Sequence, residues 1–366
     1  MSKLNSKRKY SKKQYNIIET ETSDPFLNDK IKILESKSFR RLQGKAQVYC
    51  RDLNFINPNI RDRAIHTNEV IALSAKIAKQ LNLNVNLVEA IAAGHDIGHI
   101  PFGHLGEGVF SKYANKEFRH NIFGVIIAQK IERKGKGLNL TYETLNGILN
   151  HSRGSAKITF DSKQTKEATV VMIADKIAYT LADINDAMRL GDLKEIPKQA
   201  KMLGKNQRER EYNLVKALIK ESKKKKKISF EYTKEAKIFK ELRNFMYHNF
   251  YLKQNRKKEK EILIKVIKFI KEILPKIDPL IIVAMMTDYE VQIINKEIEK
   301  ERKKELKRKI KKQIEIEKKR KKGKIISDPQ TGIETRLGFC EAIPYLEKLK
   351  INIYDPNLNK KDFKYK

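Results

Sequence analysis

The stretch His95-Asp-Ile-Gly-His-Ile-Pro-Phe-Gly-His104 places three histidines and one aspartate within ten residues. Glycine and proline interrupt it, so the packing of one continuous helix face does not explain the histidines. Histidine is a common ligand of transition metals, and carboxylates complete an oxygen-rich ligand shell. We therefore predict a metal site here. Six of the seven histidines of the chain fall between residues 66 and 151.

Helical periodicity places more histidine and aspartate side chains on apolar faces. Four helix-length segments carry them on mostly apolar stripes: His66/Val70/Leu73/Ile77, Leu87/Ile91/His95, His120/Phe123/Ile127/Ile131 and Val171/Asp175/Tyr179/Asp183. A buried carboxylate is costly unless it is paired or binds a cation. One such histidine alone is more often a hydrogen-bonded core residue, but four segments together favour ligands that converge inside a helical bundle.

The fold class follows from the same periodicity. Helix-length patterns recur from about Ile31 to Ile293, and strand signals are short, with Lys227–Tyr232 the clearest. We predict an all-α fold. The candidate helices are Ile31–Arg41, Asp62–Gln80, Val85–His95, His120–Glu132, Tyr142–Asn150, Glu167–Asp186, Gln207–Glu221, Thr233–Lys253 and Glu259–Leu274.

The 366-residue chain is strongly basic, with 79 Lys and Arg against 45 Asp and Glu and a formal net charge of +34. This charge predicts attraction to polyanions such as nucleotides, nucleic acid or anionic lipid, although an AT-rich genome also favours lysine without any functional demand. Two cysteines make neither a disulfide framework nor a four-cysteine zinc site, and they fit a cytoplasmic protein. No apolar run is long enough to span a membrane, and Met1–Lys13 does not resemble a secretory signal.

The composition divides the chain into four predicted segments. They are a polar basic tail at residues 1–24, a helical domain at 25–293, a basic helical segment at 294–324 and a C-terminal segment at 325–366 that packs on the core. Lys296–Lys324 has 16 Lys or Arg against 6 Glu, a balance of +10. A solvated helix explains this stretch best, and a nucleic-acid contact is the alternative.

Four blocks in order carry a family resemblance: Ser38–Tyr49, Arg61–His66, His95–Glu107 and Asp175–Asp183. They resemble the deoxyguanosine triphosphate triphosphohydrolase family, which belongs to the HD superfamily of phosphohydrolases with the signature H…HD…D. The similarity runs from about Phe39 to Asp186. It implies an HD-domain helical bundle, which we assign to the helical domain at residues 25–293. The basic helical segment is a C-terminal extension that the resemblance does not cover.

The resemblance also implies a ligand set and a reaction. His66, His95, Asp96 and Asp175 would hold one divalent ion, which would be Mn²⁺, Mg²⁺ or another transition metal. Such an ion lowers the pKa of bound water and polarises a phosphoryl group. Enzymes of the family cleave deoxynucleoside triphosphates to deoxynucleoside and inorganic triphosphate, by attack at the α-phosphorus with the 5′-oxygen leaving. They assemble as dimers to hexamers, so we expect a homo-oligomer.

The remaining expected site residues fall into two groups. Arg63 lies three residues before His66 on roughly the same helix side, so it is a candidate phosphate contact. The resemblance assigns substrate contacts to Gln47, Arg63, Lys176, Tyr179 and Asp183. It assigns catalytic roles to His104 and His120 and a substrate-facing role to His99, and all three histidines are acid–base candidates. Glu107 joins the catalytic group because it follows His104 by three residues, where it can orient that imidazole or raise its pKa. Spacing and resemblance together favour His104, partnered by Glu107, as the general acid.

Two other functions remain open at this point. The first is another HD-type nucleotide phosphodiesterase or an alarmone hydrolase, which keeps the metal and changes the substrate. The second is a nucleic-acid-binding protein with a regulatory HD core, which the net charge of +34 favours. The functions also combine, since single-stranded nucleic acid could regulate a deoxynucleotide hydrolase.

Overall fold

The computed structural model describes residues 4–17, 21–49, 59–152, 164–254, 256–299, 303–321, 338–349 and 351–364. Their regular structure is helical, and an isolated antiparallel bridge joins Ala46 and Asp62. The helices are α1 Lys12–Tyr15, α2 Pro25–Leu34, α3 Lys37–Arg41, α4 Arg63–Gln80, α5 Val85–Gly94, α6 His104–Ala114, α7 His120–Ile126, α8 Tyr142–Asn150, α9 Lys166–Leu190, α10 Lys198–Leu203, α11 Gln207–Lys225, α12 Lys234–Asn249, α13 Lys257–Ile273, α14 Pro279–Ala284, α15 Asp288–Glu299, α16 Lys303–Lys321 and α17 Ile343–Leu346.

Single helical turns complete the list: 3₁₀ turns at Leu42–Gly44, Arg133–Gly135, Tyr251–Lys253, Gly338–Glu341 and Lys360–Asp362, and a π-type turn at Ile127–Ile131. The prediction of an all-α fold is confirmed. Within the part of the chain that the structure describes, no helix has both the length and the apolar character that a membrane crossing requires.

Two apolar clusters form the core, and α5 contributes to both. Ile91 and Ala92 pack with α4 and α9–α12, whereas Ala93 and Ile97 pack with α7, α8 and α13–α16. The pair His95-Asp96 follows this junction directly. The clusters therefore fix the end of α5 from two sides.

The strand signal at Lys227–Tyr232 does not correspond to a strand. Its backbone has no strand partner among the described residues, and the carboxylate of Glu221 accepts hydrogen bonds from the backbone N–H groups of Glu231 and Tyr232 at 2.9 and 3.0 Å. Ile228 and Phe230 are buried. Ser229 between them is buried as well, so burial does not alternate as in a half-exposed strand, and α11 holds the segment through a side chain.

Two predicted helices also differ from the structure. Residues 31–41 are divided between α2 and α3, because Ser36 caps α3 by accepting a hydrogen bond from the Phe39 N–H at 3.1 Å. The segment that begins at His120 leaves α-helical geometry after Ile126 and continues as the π-type turn. Helix α6 was not among the predicted helices. It follows a sharp backbone turn at Phe102 and Gly103, with φ of +64° and +59°.

The terminal segments lie against the helical domain. Arg8 forms a buried ion pair with Asp29 at 2.8 Å, and the Tyr15 hydroxyl donates to the Gly137 carbonyl at 2.6 Å. Ile310 and Ile314 of α16 are buried in the same apolar cluster as Phe339. The division into four segments stays a prediction.

Candidate active site

A cavity of about 1220 Å³ opens beside the end of α5. Eleven of the thirteen predicted site residues line it: Gln47, Arg63, His66, Asp96, His99, His104, His120, Asp175, Lys176, Tyr179 and Asp183. The other two, His95 and Glu107, stand behind the wall and contact lining residues. The structure thus brings all thirteen to one place.

Local backbone features position the ligand candidates. Asp62 caps α4 by accepting a hydrogen bond from the Ile65 N–H at 2.9 Å, which places His66 in the first turn of that helix. A Cβ atom at Gly98 would lie 2.0 Å from the His120 carbonyl oxygen. Only glycine therefore lets the start of α7 lie directly on the turn that carries His95-Asp96.

The four predicted metal ligands converge. Ligand atoms of His66, His95 and Asp96 all lie within 4.8 Å of one another, and all three residues are buried. The Asp175 Oδ1 atom lies 3.0 Å from His66 Nε2 and 3.8 Å from His95 Nε2. Two imidazoles and two carboxylates make a donor set that suits a divalent transition metal.

The imidazole of His95 supports this fit. Its Nδ1–H donates to the Ala92 carbonyl at 2.7 Å, so its Nε2 atom carries the lone pair. That Nε2 atom is buried and has no hydrogen-bond partner among the described residues. A buried lone pair that faces two carboxylates is poorly satisfied by the protein alone, and a cation would satisfy it.

Both carboxylates of the group are ionised. Burial raises the pKa of Asp96, but His95, His99 and Arg63 outweigh it and hold that pKa well below its usual range. Burial acts in the same way on Asp175, where a hydrogen bond and charge from His66 lower the pKa to about 2. Both side chains therefore carry negative charge at neutral pH.

A second part of the site pairs two histidines with one carboxylate. Glu107 Oε2 lies 2.7 Å from His104 Nδ1, and Glu107 Oε1 lies 2.6 Å from His120 Nδ1. Burial raises the pKa of Glu107, but the two imidazoles outweigh it and the pKa falls well below its ordinary value. Desolvation lowers the pKa of His104, and the bond to Glu107 more than offsets it, so that pKa is raised. The His104 ring is 74% exposed, which gives it access to the cavity.

His99 lies between the two parts of the site. Its ring stacks on that of His120 with centroids 3.7 Å apart, and its Nε2 atom is 3.2 Å from Asp96 Oδ1. Burial, with the charges of Arg63 and His120, lowers the pKa of His99 well below its usual value. This imidazole is therefore neutral at neutral pH and contributes hydrogen bonds but no charge.

The two substrate candidates near the start of α4, Arg63 and Gln47, differ in their hydrogen-bond partners. Arg63 donates to Asp96 Oδ2 at 2.8 Å and to the Gln47 carbonyl at 3.4 Å. The side-chain Oε1 atom of Gln47 is buried and makes no hydrogen bond within the described ranges. Gln47 is therefore an acceptor that faces the cavity, whereas Arg63 is already bound to a carboxylate.

The other substrate candidates lie along α9. Lys176 is buried at the cavity wall, and the Tyr179 hydroxyl lies 3.4 Å from a guanidinium nitrogen of Arg243. Asp183 accepts from Arg61 on Oδ1 and from the Tyr251 hydroxyl on Oδ2, both at 2.6 Å. Each carboxylate oxygen keeps a second lone pair, so Asp183 can accept one further hydroxyl.

Sequence reasoning missed several of these partners. Arg61 lies inside the block Arg61–His66. A charged side chain next to a helix start that is predicted to be buried needs a partner of opposite charge, and this could have identified Arg61. Tyr251 and Arg243 come from the region beyond residue 190, where no motif identified them, and they reach the cavity through the packing of α12. Lys45 is buried, donates to the Ala284 carbonyl at 3.3 Å, and has a pKa that burial lowers to about 7.

A helical bundle that gathers an H…HD…D set around one cavity is an HD-domain phosphohydrolase. The family model for the HD domain matches residues 63–180. A deoxyguanosinetriphosphate triphosphohydrolase-like protein of Clostridium tetani is 42% identical over 255 residues, which cover 67% of this chain and 72% of the relative. Proteins with the same description from Clostridium perfringens and Caldanaerobacter subterraneus are each 40% identical, over 73% and 64% of this chain and 81% and 68% of the relatives.

The chain therefore belongs to the deoxyguanosinetriphosphate triphosphohydrolase-like family. The predicted resemblance to this family is confirmed by these relatives.

Proposed function

We propose that the protein is a metal-dependent triphosphohydrolase that converts deoxynucleoside triphosphates to deoxynucleoside and inorganic triphosphate. The convergence of His66, His95, Asp96 and Asp175 at the wall of a cavity of about 1220 Å³ carries this proposal. The cavity is large enough for a nucleotide. The names of the relatives support deoxyguanosine triphosphate as one substrate.

Charge in the cavity matches a triphosphate. A divalent cation held by the four ligands would polarise a phosphoryl oxygen and acidify water. The chain adds its own cations at the wall, where Arg63, Lys176, Arg243 and Arg256 line the cavity. Fixed positive groups stabilise the negative charge that develops on the phosphate oxygens during displacement at phosphorus.

His104 is proposed as the proton donor. Glu107 holds its Nδ1 atom at 2.7 Å and raises its pKa, so a larger fraction of the imidazole is protonated at neutral pH. Its Nε2–H then faces the cavity. The attacking water bonds to the α-phosphorus and releases one proton to solvent, the bond between that phosphorus and the 5′-oxygen breaks, and the 5′-oxygen takes the proton from His104.

The sugar is proposed to bind between Gln47 and α9. The 3′-hydroxyl is the one free hydroxyl of this sugar, and it donates to a spare lone pair of Asp183. Gln47, which lines the same cavity, contacts the sugar beside it. Tyr179, which lines the same wall, would exclude a 2′-hydroxyl by its bulk. This arrangement selects deoxyribose over ribose through shape.

Product analysis tests the proposal. Purified protein is incubated with each deoxynucleoside triphosphate and with the ribonucleotides, in Mn²⁺ or Mg²⁺ and with a chelator as control. We expect inorganic triphosphate from deoxynucleotides and none after chelation. Release of pyrophosphate or monophosphate in its place would overturn the proposal and favour another HD-type phosphodiesterase or an alarmone hydrolase.

Two partner predictions accompany this function. The face of α16 opposite the buried Ile310 carries exposed Arg308, Lys311 and Lys312, which favours weak binding of single-stranded nucleic acid. Binding of this kind falls steeply with salt, so affinity measured at two ionic strengths tests it. The predicted homo-oligomer is tested by light scattering of the full chain.

A further inference from the structure

Three stretches of the chain meet behind the cavity wall at the start of α15. The first covers residues 44–47 and contains Gln47, and the second is the turn at residues 99–104 that leads into His104. The third begins at Asp288, the first residue of α15. Asp288 is 3% exposed, so its side chain acts on the site through the backbone that it holds.

The carboxylate of Asp288 accepts one backbone N–H from each of the other two stretches. Its Oδ2 atom accepts from the Ala46 N–H and its Oδ1 atom from the Phe102 N–H, both at 2.9 Å. Ala46 directly precedes Gln47, and Phe102 lies two residues before His104. One side chain thus joins the backbone of the proposed sugar contact to the backbone of the proposed proton donor.

The bond to Phe102 lies where the backbone needs support. Phe102 has a φ of +64°, in the left-handed region that bulky side chains rarely adopt, and Gly103 follows with +59°. Such a conformation persists only when the surrounding contacts enforce it. A guanidinium nitrogen of Arg256 also donates to the Phe102 carbonyl, at 3.4 Å. Both polar groups of Phe102 are therefore held from outside the turn, and this turn sets the direction in which α6 presents His104.

Close packing fixes the same junction. The Lys45 ammonium donates to the His99 carbonyl and, at 3.3 Å, to the Ala284 carbonyl at the end of α14. A Cβ atom at Gly44 would lie 2.7 Å from Thr287 Cγ2, so glycine lets the first stretch lie against the residue that precedes α15. The two stretches of the site are therefore joined by packing as well as by hydrogen bonds.

The start of α15 does not depend on the Asp288 side chain. Thr287 Oγ1 accepts from the Glu290 N–H at 3.1 Å, and the Glu290 carboxylate accepts from the Thr287 N–H at 2.8 Å. This reciprocal pair is a complete helix cap. Both oxygens of Asp288 bind the two stretches of the site instead.

We propose that Asp288 is a positioning residue of the active site, which holds the backbone beside Gln47 and the backbone beside His104 in one relative placement. The inference rests on the proposed function, because Asp288 acts through the sugar contact and the proton donor assigned there. Misplacement of a reacting group by about 1 Å lowers a rate by up to about a hundredfold. Loss of the Phe102 bond is therefore expected to lower kcat, and loss of the Ala46 bond to raise KM.

The variant Asp288→Ala removes both acceptors. We expect kcat to fall by about tenfold to a hundredfold and KM to rise by about two- to tenfold. Bound Mn²⁺, counted by metal analysis, should stay unchanged because none of the four proposed ligands is removed. Glu221→Ala is the matched control, since Glu221 is also buried and also accepts backbone N–H groups, from Glu231 and Tyr232. It should keep both kinetic constants.

Double variants separate positioning from a general loss of structure. In a His104→Ala background, Asp288→Ala should lower kcat by less than about a further twofold, because the group that it positions is already absent. In a Gln47→Ala background the rise in KM should disappear while the fall in kcat remains. Effects of Asp288→Ala that multiply fully with both substitutions would overturn the proposal.

A second variant covers the case in which Asp288→Ala does not fold, as judged by circular dichroism and the unfolding midpoint. Asp288→Asn keeps the shape and one acceptor oxygen, but turns an amide N–H₂ group toward the other backbone N–H. We expect it to lower kcat or to raise KM in the same direction as alanine. A folded Asp288→Asn variant in which neither constant changes would overturn the proposal.

The outcomes separate this inference from the proposed function. Unchanged kcat and KM in a folded Asp288→Ala variant, with inorganic triphosphate still released, overturn the positioning role and leave the function in place. A different product from the unmodified chain, with kcat still dependent on Asp288 only when His104 is present, overturns the function and supports the positioning of His104. No hydrolysis of any nucleotide by the unmodified chain would remove both.

Discussion

The site has a ligand half, which contains His95, and a proton half, which contains His104 and Glu107. Histidine has opposite roles in the two halves. On one side the His95 Nδ1–H donates to the neutral Ala92 carbonyl, which leaves a lone pair aimed at Asp96 and Asp175. On the other side Glu107 holds the Nδ1 atom of His104 and raises the pKa of that imidazole. The carbonyl behind His95 adds no charge and leaves the ring free to ligate a cation, whereas the carboxylate behind His104 raises the pKa of that imidazole and so favours a proton donor.

The largest effect is expected from a variant that removes a ligand from the ligand half of the site. Asp175→Ala removes a carboxylate that lies 3.0 Å from His66 Nε2, so we expect loss of the bound cation and a fall in kcat of about ten-thousandfold, since the ion is asked to supply several kcal/mol. Metal analysis and product release measure this. Glu195→Ala, which removes a surface carboxylate that pairs with Lys201, is the control. Full metal content in a folded Asp175→Ala variant would contradict the ligand assignment.

The next largest effect is expected from a variant that removes the proton donor from the proton half of the site. His104→Ala should lower kcat by about a hundredfold to a thousandfold with cation binding unchanged, because it removes the proton donor and no ligand. Metal content and kcat measured on the same preparation separate the two halves. Undiminished turnover in this variant would eliminate His104 as the general acid.

The variant Glu107→Gln tests the proton half through the dependence of kcat on pH. Activity that needs protonated His104 is lost as pH rises through the pKa of that imidazole. Glu107 raises this pKa, so its neutral replacement should move the alkaline limb of the kcat profile to lower pH. An alkaline limb that does not move would show that Glu107 does not act on the proton donor.

A smaller effect concerns the contact between the halves. In Gly98→Ala the new Cβ meets the His120 carbonyl oxygen and the Gly124 nitrogen at 2.0 and 2.2 Å, so we expect a loss of about 1–3 kcal/mol in the free energy of unfolding. Gly108→Ala is a matched control, because nothing lies within 4 Å of its Cβ and alanine favours the helix. Urea denaturation compares them. Equal stability would show that α7 does not rest on Gly98.

The smallest expected effect lies in the sugar pocket. Tyr251→Phe removes the hydroxyl that donates to Asp183 at 2.6 Å. A hydrogen bond of this kind contributes about 0.5–1.5 kcal/mol, so KM should rise by about two- to tenfold with kcat nearly unchanged. Tyr232→Phe, which changes an exposed tyrosine, is the control. A fall in kcat without a change in KM would place Tyr251 with the reacting groups and not with the sugar.

Much of the fold was predictable because helical periodicity is local. Spacings of three and four residues identified the faces of α4, α5 and α9 and the inward direction of His66 and Asp175. The strand signal at Lys227–Tyr232 was misleading because the partner of a segment is not local information. A short segment with β-branched and aromatic residues looks the same in sequence whether its backbone N–H groups meet a strand or, as here, the carboxylate of Glu221.

The sequence by itself determined the helical class, the family and the set of side chains that turn inward, because each depends on the order and spacing of residues along one chain. Only the tertiary structure decided which partner each side chain meets. It is packing between helices that binds Asp183 to Arg61 and Tyr251, and that brings His151 to His120 at 3.1 Å. Partner atoms set charge and lone-pair direction, so the same residue types acquire different chemistry from the way the helices meet.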